Sequence, residues 1–374
     1  MIEVIVFLRN RILSFCYKNL LKPLFFLVEP ENIHGGMTLA GRFLGGNSLT
    51  RKLTSLLFSY SHPALEQKIL GIKFKNPVGL SAGFDKDARL TNILPSVGFG
   101  FAEIGTITGE ACKGNLRPRL WRLKNSRSLI VNYGLKNDGA ERISKRLQGK
   151  DFAFPVITSI GKTNSLGTVE IDAGIKDYVK AYQYFTGIGD IFEINISCPN
   201  AYGGLPFSDP QKLDVLLKQI TKIPTKKPIF IKMPPDLTDN QLDKILEVVK
   251  KHKIDGFTCS NLTKPRTNKI SDRVVPKDGG LSGKLVEQLS NHQIQRIYQK
   301  TKGKYIIIGV GGIFSAEDAY RKIKLGASLV ELITGMIFQG PQLISEINQG
   351  LVKLLKKDGY TNISQAVGML RYEV

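Results

Sequence analysis

"YIIIGVGGIFSAEDAYRKIKLGASLVELITG" (305–335) is the stretch whose reading decides the fold. It opens with an apolar run that ends in Gly-Val-Gly-Gly. An amphipathic segment follows, starting at Ser315 and stopping at Gly326, with the residue types that begin and end helices. A second apolar run, "LVELITG" (329–335), closes the unit. Strand, helix and strand in so short a span predict parallel strands joined by a helical crossover.

Outward from this unit the pattern recurs. "VGLSAG" (78–83), "FAEIGTIT" (101–108), "PVITSIG" (155–161), "IFEINIS" (191–197), "PIFIKMP" (228–234) and "GFTCSN" (256–261) bring the candidate strands to eight. Most are continuous apolar runs, as in a parallel sheet buried on both faces. Between them lie helix-like stretches such as "DPQKLDVLLKQI" (209–220) and "TDNQLDKILEVVKK" (238–251), which start at Asp or Thr. Eight strand–helix units without an Asn-Gly hairpin signal predict an α/β fold, a (β/α)₈ TIM barrel. Residues 109–154 are long for one crossover and predict an excursion over the barrel mouth. Residues 1–66 have no place in the count. They predict a separate helical segment ahead of a barrel spanning 67–374.

Of the 374 residues, 53 are Lys or Arg and 32 Asp or Glu, a net charge of +21. The surplus is spread thinly, without a basic tail, and suits a solvated surface or an anionic partner. Cys16, Cys112, Cys198 and Cys259 show no metal-ligand spacing and predict free thiols in a reducing compartment. "VIVFLRNRILSFCYKNLLKPLFFLV" (4–28) is apolar but interrupted by Arg9, Arg11, Lys18 and Lys22. No uncharged stretch there reaches the ~18–20 residues of a spanning helix, and no cleavage site follows a clean apolar run. The composition predicts a helix lying in the plane of an anionic membrane surface. Packing against the body of the protein is the alternative.

Barrels carry their chemistry at the C-terminal ends of the strands. Asp85-Lys86-Asp87, Thr106, Ser159, Asn195, Cys198, Asn200, Lys232 and Ser260-Asn261 all fall there. The glycines of "GVGG" (309–312) and Thr334-Gly335 follow strands 7 and 8, where barrels often hold a phosphate. Lys232, inside an apolar strand, calls for an anion or a group that becomes one; Lys86 could reach the same region or pair with Asp85 or Asp87. Together with the phosphate corner these lysines point to a phosphorylated flavin. Beside a flavin that accepts hydride, the Cys198 thiol suits a general base, its pKa lowered further by nearby cations. Asn132, Asn195, Asn200 and Asn261 offer donors and acceptors for a flat, amide-rich heterocycle, or cap turns.

From about Gly71 to Pro341 the chain resembles the dihydroorotate dehydrogenases. The likeness rests on "NPVGLSAGFDKDA" (76–88), "EIGTIT" (103–108), "GNLRPRLWRL" (114–123), "NISCPN" (195–200), "GGLSGK" (279–284) and the stretch 307–341. "LLKPLFFLVEPENIHGGMTLAGRFLG" (20–45) is similar to the two-helix quinone-tunnel segment of the membrane-associated, quinone-linked branch. The resemblance implies FMN as cofactor, oxidation of dihydroorotate to orotate in pyrimidine (UMP) biosynthesis, and a membrane quinone as acceptor. It also implies peripheral attachment, at the cytoplasmic face of the inner or plasma membrane in a bacterium, and no nucleic-acid partner.

Carried over residue by residue, the resemblance implies FMN contacts from Ala82, Gly83, Lys86, Thr106, Asn195, Lys232, Ser260, Gly283, Gly312, Thr334 and Gly335. Ser159 stands where an FMN-contacting Asn is usual. Orotate would be held by Lys86, Asn195, Asn200 and Asn261, with Asn132, Gly134 and Leu135 from "LIVNYGLKN" (129–137). Cys198 would take the proton from C5 of dihydroorotate. The quinone-linked branch normally carries Ser as this base, so "NISCPNAYGGLPFSDP" (195–210) resembles the soluble branch. Val131 stands where the family's substrate Asn falls, with Asn132 one place late, and Leu262 replaces a Thr or Ser. These departures keep a related FMN oxidoreductase with another substrate as an alternative. The FMN barrel, the Cys-Pro after an Asn and the +21 charge keep a tRNA dihydrouridine synthase-like enzyme as a further one.

Overall fold

In the computed structural model, which describes residues 2–266 and 270–370, the N-terminal segment is helical. The outer ends of the two expected segments, Met1 and Val374, lie outside the described residues. Helix α1 (Ile2–Cys16) passes through a π-turn into α2 (Lys22–Leu27); α3 (Pro30–Gly45) and α4 (Ser48–Phe58) follow. Glu29 accepts from the Asn32 N–H ahead of α3, and Asn47 accepts from the N–H groups of Leu49 and Thr50 to start α4. One side of α1 is tied to the barrel. Arg9 and Asn10 both donate to Ser345 Oγ, and Gln349 donates to the Glu3 carbonyl. The other side leaves Val4, Ile5, Leu8, Ile12 and Phe15 exposed.

The chain enters the barrel through a hairpin, β1 (Gln67–Ile69) and β2 (Ile72–Phe74). Its two-residue turn, Leu70-Gly71, has positive φ at both positions, which a Leu seldom adopts, so sequence reading missed it. Strands β3 (Val78–Leu80) and β4 (Phe101–Thr108) follow, with α5 (Leu94–Val97) between them. The excursion over the mouth is a hairpin, β5 (Leu120–Leu123) and β6 (Ser128–Val131), then α6 (Ala140–Leu147). Next come β7 (Val156–Gly161), α7 (Ile171–Tyr184), β8 (Ile191–Asn195), α8 (Pro210–Ile220), β9 (Ile229–Met233), α9 (Asp239–Val249) and β10 (Gly256–Cys259). Strand β11 (Gly280–Gly283) pairs with β6 into a three-stranded antiparallel sheet over the mouth. Helix α10 (Glu287–Thr301), β12 (Ile306–Val310), α11 (Ala316–Lys324), β13 (Leu329–Leu332), α12 (Thr334–Gln339) and α13 (Leu343–Lys357) complete the fold.

The eight expected strands, β3, β4, β7, β8, β9, β10, β12 and β13, close into one parallel barrel in chain order. Helix starts read from sequence are capped as their chemistry requires. Asp209 caps α8, Thr238 and Gln241 form a capping box on α9, and Ser315 caps α11. Inside the barrel, side chains alternate along each strand. At the bottom Phe101, Ile157, Ile191, Phe230, Ile308 and Leu329 form an apolar layer, sealed from below by Ile69 and Phe74 of the hairpin. Gly79 leaves the space that the Phe101 ring fills, since a Cβ there would lie 2.3 Å from it. Two residues further along, the same strands carry Glu103, Ser159, Glu193, Lys232 and Glu331. The barrel interior therefore changes from apolar to polar towards the C-terminal end.

Candidate active site

Above the polar layer a cavity opens at the C-terminal ends of the strands. Ala82, Gly83 and Lys86 line it after β3, Thr106 from β4, and Lys232 from β9. Asn195, Cys198 and Asn200 reach it from the end of β8, Ser260 and Asn261 from the end of β10. Gly283, Gly312, Thr334 and Gly335 form its far wall, and Gly134 and Leu135 cover it from the excursion. Convergence of so many separated residues follows from the barrel, which brings all strand ends to one rim.

Two expected residues do not line it. Ser159 is fully buried beneath the floor, where its hydroxyl donates to Glu193 Oε1 at 2.9 Å and lies 3.0 Å from Thr106 Oγ1. Asn132 points away; its carboxamide oxygen accepts from Asn115 at 2.9 Å, while Val131 faces the cavity. Extended-chain alternation running from β6 past its end explains the swap: Leu129, Val131 and Tyr133 face the cavity, and Asn132 between them faces away.

Lys232 is paired, and its partners were missed in the sequence. Its ammonium donates to Glu103 Oε2 at 2.7 Å and lies 3.6 Å from Glu193 Oε1. Its pKa is held above the ordinary lysine range: burial opposes the charge, but the nearby carboxylates outweigh it. The signal was legible in "FAEIGTIT", "IFEINIS" and "LVELITG", each an apolar run with one Glu in its middle. A carboxyl buried on both sides needs a partner, and Lys232 is the matching cation.

The loop after β8 is held by a carboxamide network. Asn195 Nδ2 donates to Thr106 Oγ1 at 2.7 Å, and its Oδ1 accepts from Ser197. Asn261 Nδ2 donates to Ser197 Oγ at 2.9 Å, and Asn200 Nδ2 to the Val131 carbonyl at 2.7 Å. Asn200 Oδ1 and Ser260 Oγ are buried without a partner among the described residues, which leaves both for a ligand. Cys198 departs from expectation in one respect. Cations were expected to lower its pKa, but loss of water around this half-buried thiol pushes it up to about 11; the Asn200 N–H, Lys264 and Lys162 offset only part of this. Lys86 pairs with neither Asp85 nor Asp87 by ion pair. Its ammonium sits 4.1 Å from the centre of the Tyr133 ring, and burial, with Lys136 nearby, brings its pKa down to about 7.

The cavity continues into the helical segment. Tyr17, Phe25, Phe26, Ile33, His34 and Met37 line this arm, with Leu120, Arg122 and Ile337 opposite. Tyr17 donates to the Ile337 carbonyl at 2.7 Å, and Arg122 to the Val28 carbonyl at 2.8 Å. His34 lies 2.9 Å from the Phe84 carbonyl; burial, with Lys86 nearby, lowers its pKa to about 3, so the ring is neutral. An apolar passage therefore leads from the barrel mouth to the exposed apolar helices.

Comparison with known proteins agrees with this geometry. A profile of the dihydroorotate dehydrogenase family matches residues 64–355. The chain belongs to the dihydroorotate dehydrogenase family. It is 36% identical to the dihydroorotate dehydrogenase (quinone) of Trichodesmium erythraeum, covering 94% of this chain and 98% of that one. With the enzyme of the same name from Christiangramia forsetii it shares 39% identity, covering 91% and 99%. The crystal structure of DHODH in complex with ferulenol from Eimeria tenella superposes with a TM-score of 0.80. Sequence identity there is 27%, over 91% of this chain and 95% of that one.

The family's cofactor is FMN, and the residues present fit it. A Cβ on Gly83 would meet nothing within 4 Å, so its backbone is open to a ligand. Gly311 and Gly312 take positive φ at the end of β12, exposing successive backbone groups on the wall where a phosphate would bind. The unpartnered Ser260 hydroxyl and the Lys232 ammonium would supply a donor and a positive charge for its ring.

Proposed function

We propose that the chain oxidises dihydroorotate to orotate on FMN and passes the electrons to a quinone. The observation that carries this reading is one continuous cavity. It joins the Cys198 thiol and a ring of carboxamides to an apolar passage through the helical segment. Gly312, Thr334 and Gly335 would hold the phosphate of FMN and Lys232 its polar edge, and FMN would supply a ring able to accept hydride. Asn195, Asn200 and Asn261 orient the flat substrate, and the Lys86 ammonium offsets its carboxylate charge. Cys198 Sγ takes the proton from C5, the carbon beside the one that gives up hydride. Tyr17, His34 and Arg122 border the passage that a quinone head would enter. Supporting membrane attachment, Val4, Ile5, Leu8, Ile12, Phe15, Leu24, Leu39 and Phe43 are exposed on the helices around it, with Lys18 and Arg11 interleaved. Among the described residues no helix is long and apolar enough to cross a membrane. The attachment we propose is peripheral, to an anionic surface, at the cytoplasmic face of the plasma membrane in a bacterium.

Val131 in place of an inward carboxamide favours a second reading, an FMN oxidoreductase for a related, less polar substrate. One experiment separates the two. Anaerobic addition of dihydroorotate bleaches the flavin absorbance of the purified protein, and a short-chain quinone restores it. A flavin that stays oxidised with dihydroorotate, yet is bleached by dithionite, supports the second reading.

A further inference from the structure

The floor of the cavity holds more acid than its charge balance allows. Glu103, Glu193 and Glu331 each have 0% of their surface exposed, and Lys232 has 3%. Three carboxylates against one ammonium would leave two uncompensated negative charges inside the barrel, cut off from water that could solvate them. Hydrogen bonding argues the same way. Glu103 Oε2 is satisfied by Lys232 Nζ at 2.7 Å and by the Ala82 N–H at 3.0 Å. Glu103 Oε1, Glu193 Oε2 and both oxygens of Glu331 make no well-formed hydrogen bond among the described residues, with the Thr258 hydroxyl beside the Glu193 carboxyl. Carboxylates only accept, so ionised neighbours leave these oxygens unpaired. A protonated acid becomes a donor and can share its proton with Glu103. The ionisation preferences run in the same sense: Glu103 is held below the ordinary carboxylate range, while burial beside Glu103 pushes Glu193 and Glu331 well above it.

We propose that Glu103, Glu193, Glu331 and Lys232 form one electrostatic unit with a single carboxylate for its single ammonium, and that this unit sets the reduction potential of the flavin bound above it. The proposal rests on FMN occupying the cavity. Lys232 is the member of the unit that lines the cavity; the three glutamates lie behind it. The flavin therefore meets the positive end of a buried pair, which favours its electron-rich reduced form. How strongly it does so depends on how closely the carboxylate neutralises the ammonium. Glu103 does this at 2.7 Å, whereas Glu193, next in line, stands at 3.6 Å. Glu193 and Glu331 act as neutral positioning residues. Glu193 also anchors Ser159, which reaches Thr106 and through it Asn195 at the substrate layer.

The test measures flavin potential in the full-length holoprotein by anaerobic reduction against reference dyes, with FMN content determined on each sample. Glu193→Gln and Glu331→Gln exchange one neutral group for another, so the equilibrium between oxidised and reduced flavin stays within about twofold of wild type. Glu103→Gln moves the carboxylate to Glu193 and favours reduced flavin at least about tenfold, equal to about 30 mV for a two-electron couple. Glu103→Asp keeps the charge but draws it back, and shifts the equilibrium the same way by less. Infrared spectra of the same proteins at neutral pH show buried carboxylic acid bands in wild type, weakened by one acid in each Gln variant. Unchanged potential in Glu103→Gln, an equal shift in Glu193→Gln, or wild type without acid bands overturns the proposal. Loss of FMN from wild type would instead overturn the cofactor assignment.

Discussion

Cys198 is half-buried in the cavity wall and largely desolvated, which predicts its pH behaviour. With its pKa pushed up to about 11, the thiol is roughly one part in ten thousand thiolate at pH 7. Removing a proton from the substrate therefore becomes easier as pH rises. Flavin bleaching by dihydroorotate, followed by anaerobic stopped flow, is expected to accelerate about tenfold per pH unit from pH 6 before levelling off. Cys198→Ser moves the plateau to higher pH, because a hydroxyl is a weaker acid. Cys198→Ala keeps FMN and slows bleaching by roughly 10²–10⁴-fold. A pH-independent rate in wild type, or an unchanged rate in Cys198→Ala, removes this residue from the proton step. The thiol's place beside Asn195 and Asn200 was readable in "NISCPN"; its raised pKa was not, because burial comes from chains distant in sequence.

Several barrel strands work as short ladders with an apolar lower rung and a polar upper one. Phe101 and Glu103, Ile191 and Glu193, Phe230 and Lys232, Leu329 and Glu331 repeat that step on four strands. Period-two alternation makes the step possible, and closure of the barrel makes the rungs meet. Gly79 is the point where the lower rung is tightest. Gly79→Ala would place a methyl 2.3 Å from the fully buried Phe101 ring, costing about 2–3 kcal/mol. Denaturant unfolding of the variant, with Gly79→Ala/Phe101→Leu recovering most of the loss, checks this. Equal midpoints for wild type and Gly79→Ala would mean that the layer yields. The strands themselves were plain from their apolar runs. The β5–β6–β11 sheet was not, since it joins segments some 150 residues apart in short, mixed-polarity pieces.

At the scale of the whole molecule, one carboxylate fastens the helical segment to the barrel mouth. Glu31 of α3 accepts from Arg119 at 2.6 and 3.0 Å, with Arg117 at 3.1 Å and Lys136 at 3.7 Å. Burial opposes its charge, but Arg119 and the other cations hold its pKa down at about 2. The sign follows from linkage: a depressed carboxylate stabilises above its ordinary range, and that stabilisation fades as pH falls from about 4.5 towards 2. Glu31→Gln leaves three cations around a neutral amide and weakens docking by about 2 kcal/mol, the exposed side of the cluster moderating the loss. Limited proteolysis checks it. Cleavage between residues 46 and 66 is expected to be faster in Glu31→Gln at pH 7, and in wild type on acidification; equal rates would show that other contacts hold the segment.

By itself the sequence determined the barrel, because runs of buried strand and capped helix are local patterns whose period survives without neighbours. It also determined which chemical groups stand at the strand ends, since the fold class assigns those positions. Only the tertiary structure decided which groups face the cavity. Asn132 against Val131, the burial of Ser159 under the floor, and the pairing of Lys232 with glutamates from other strands all depend on side-chain direction and on contacts across the closed ring. Such contacts join residues far apart in the chain, and the charge each carries is set by the partners and the water it has lost.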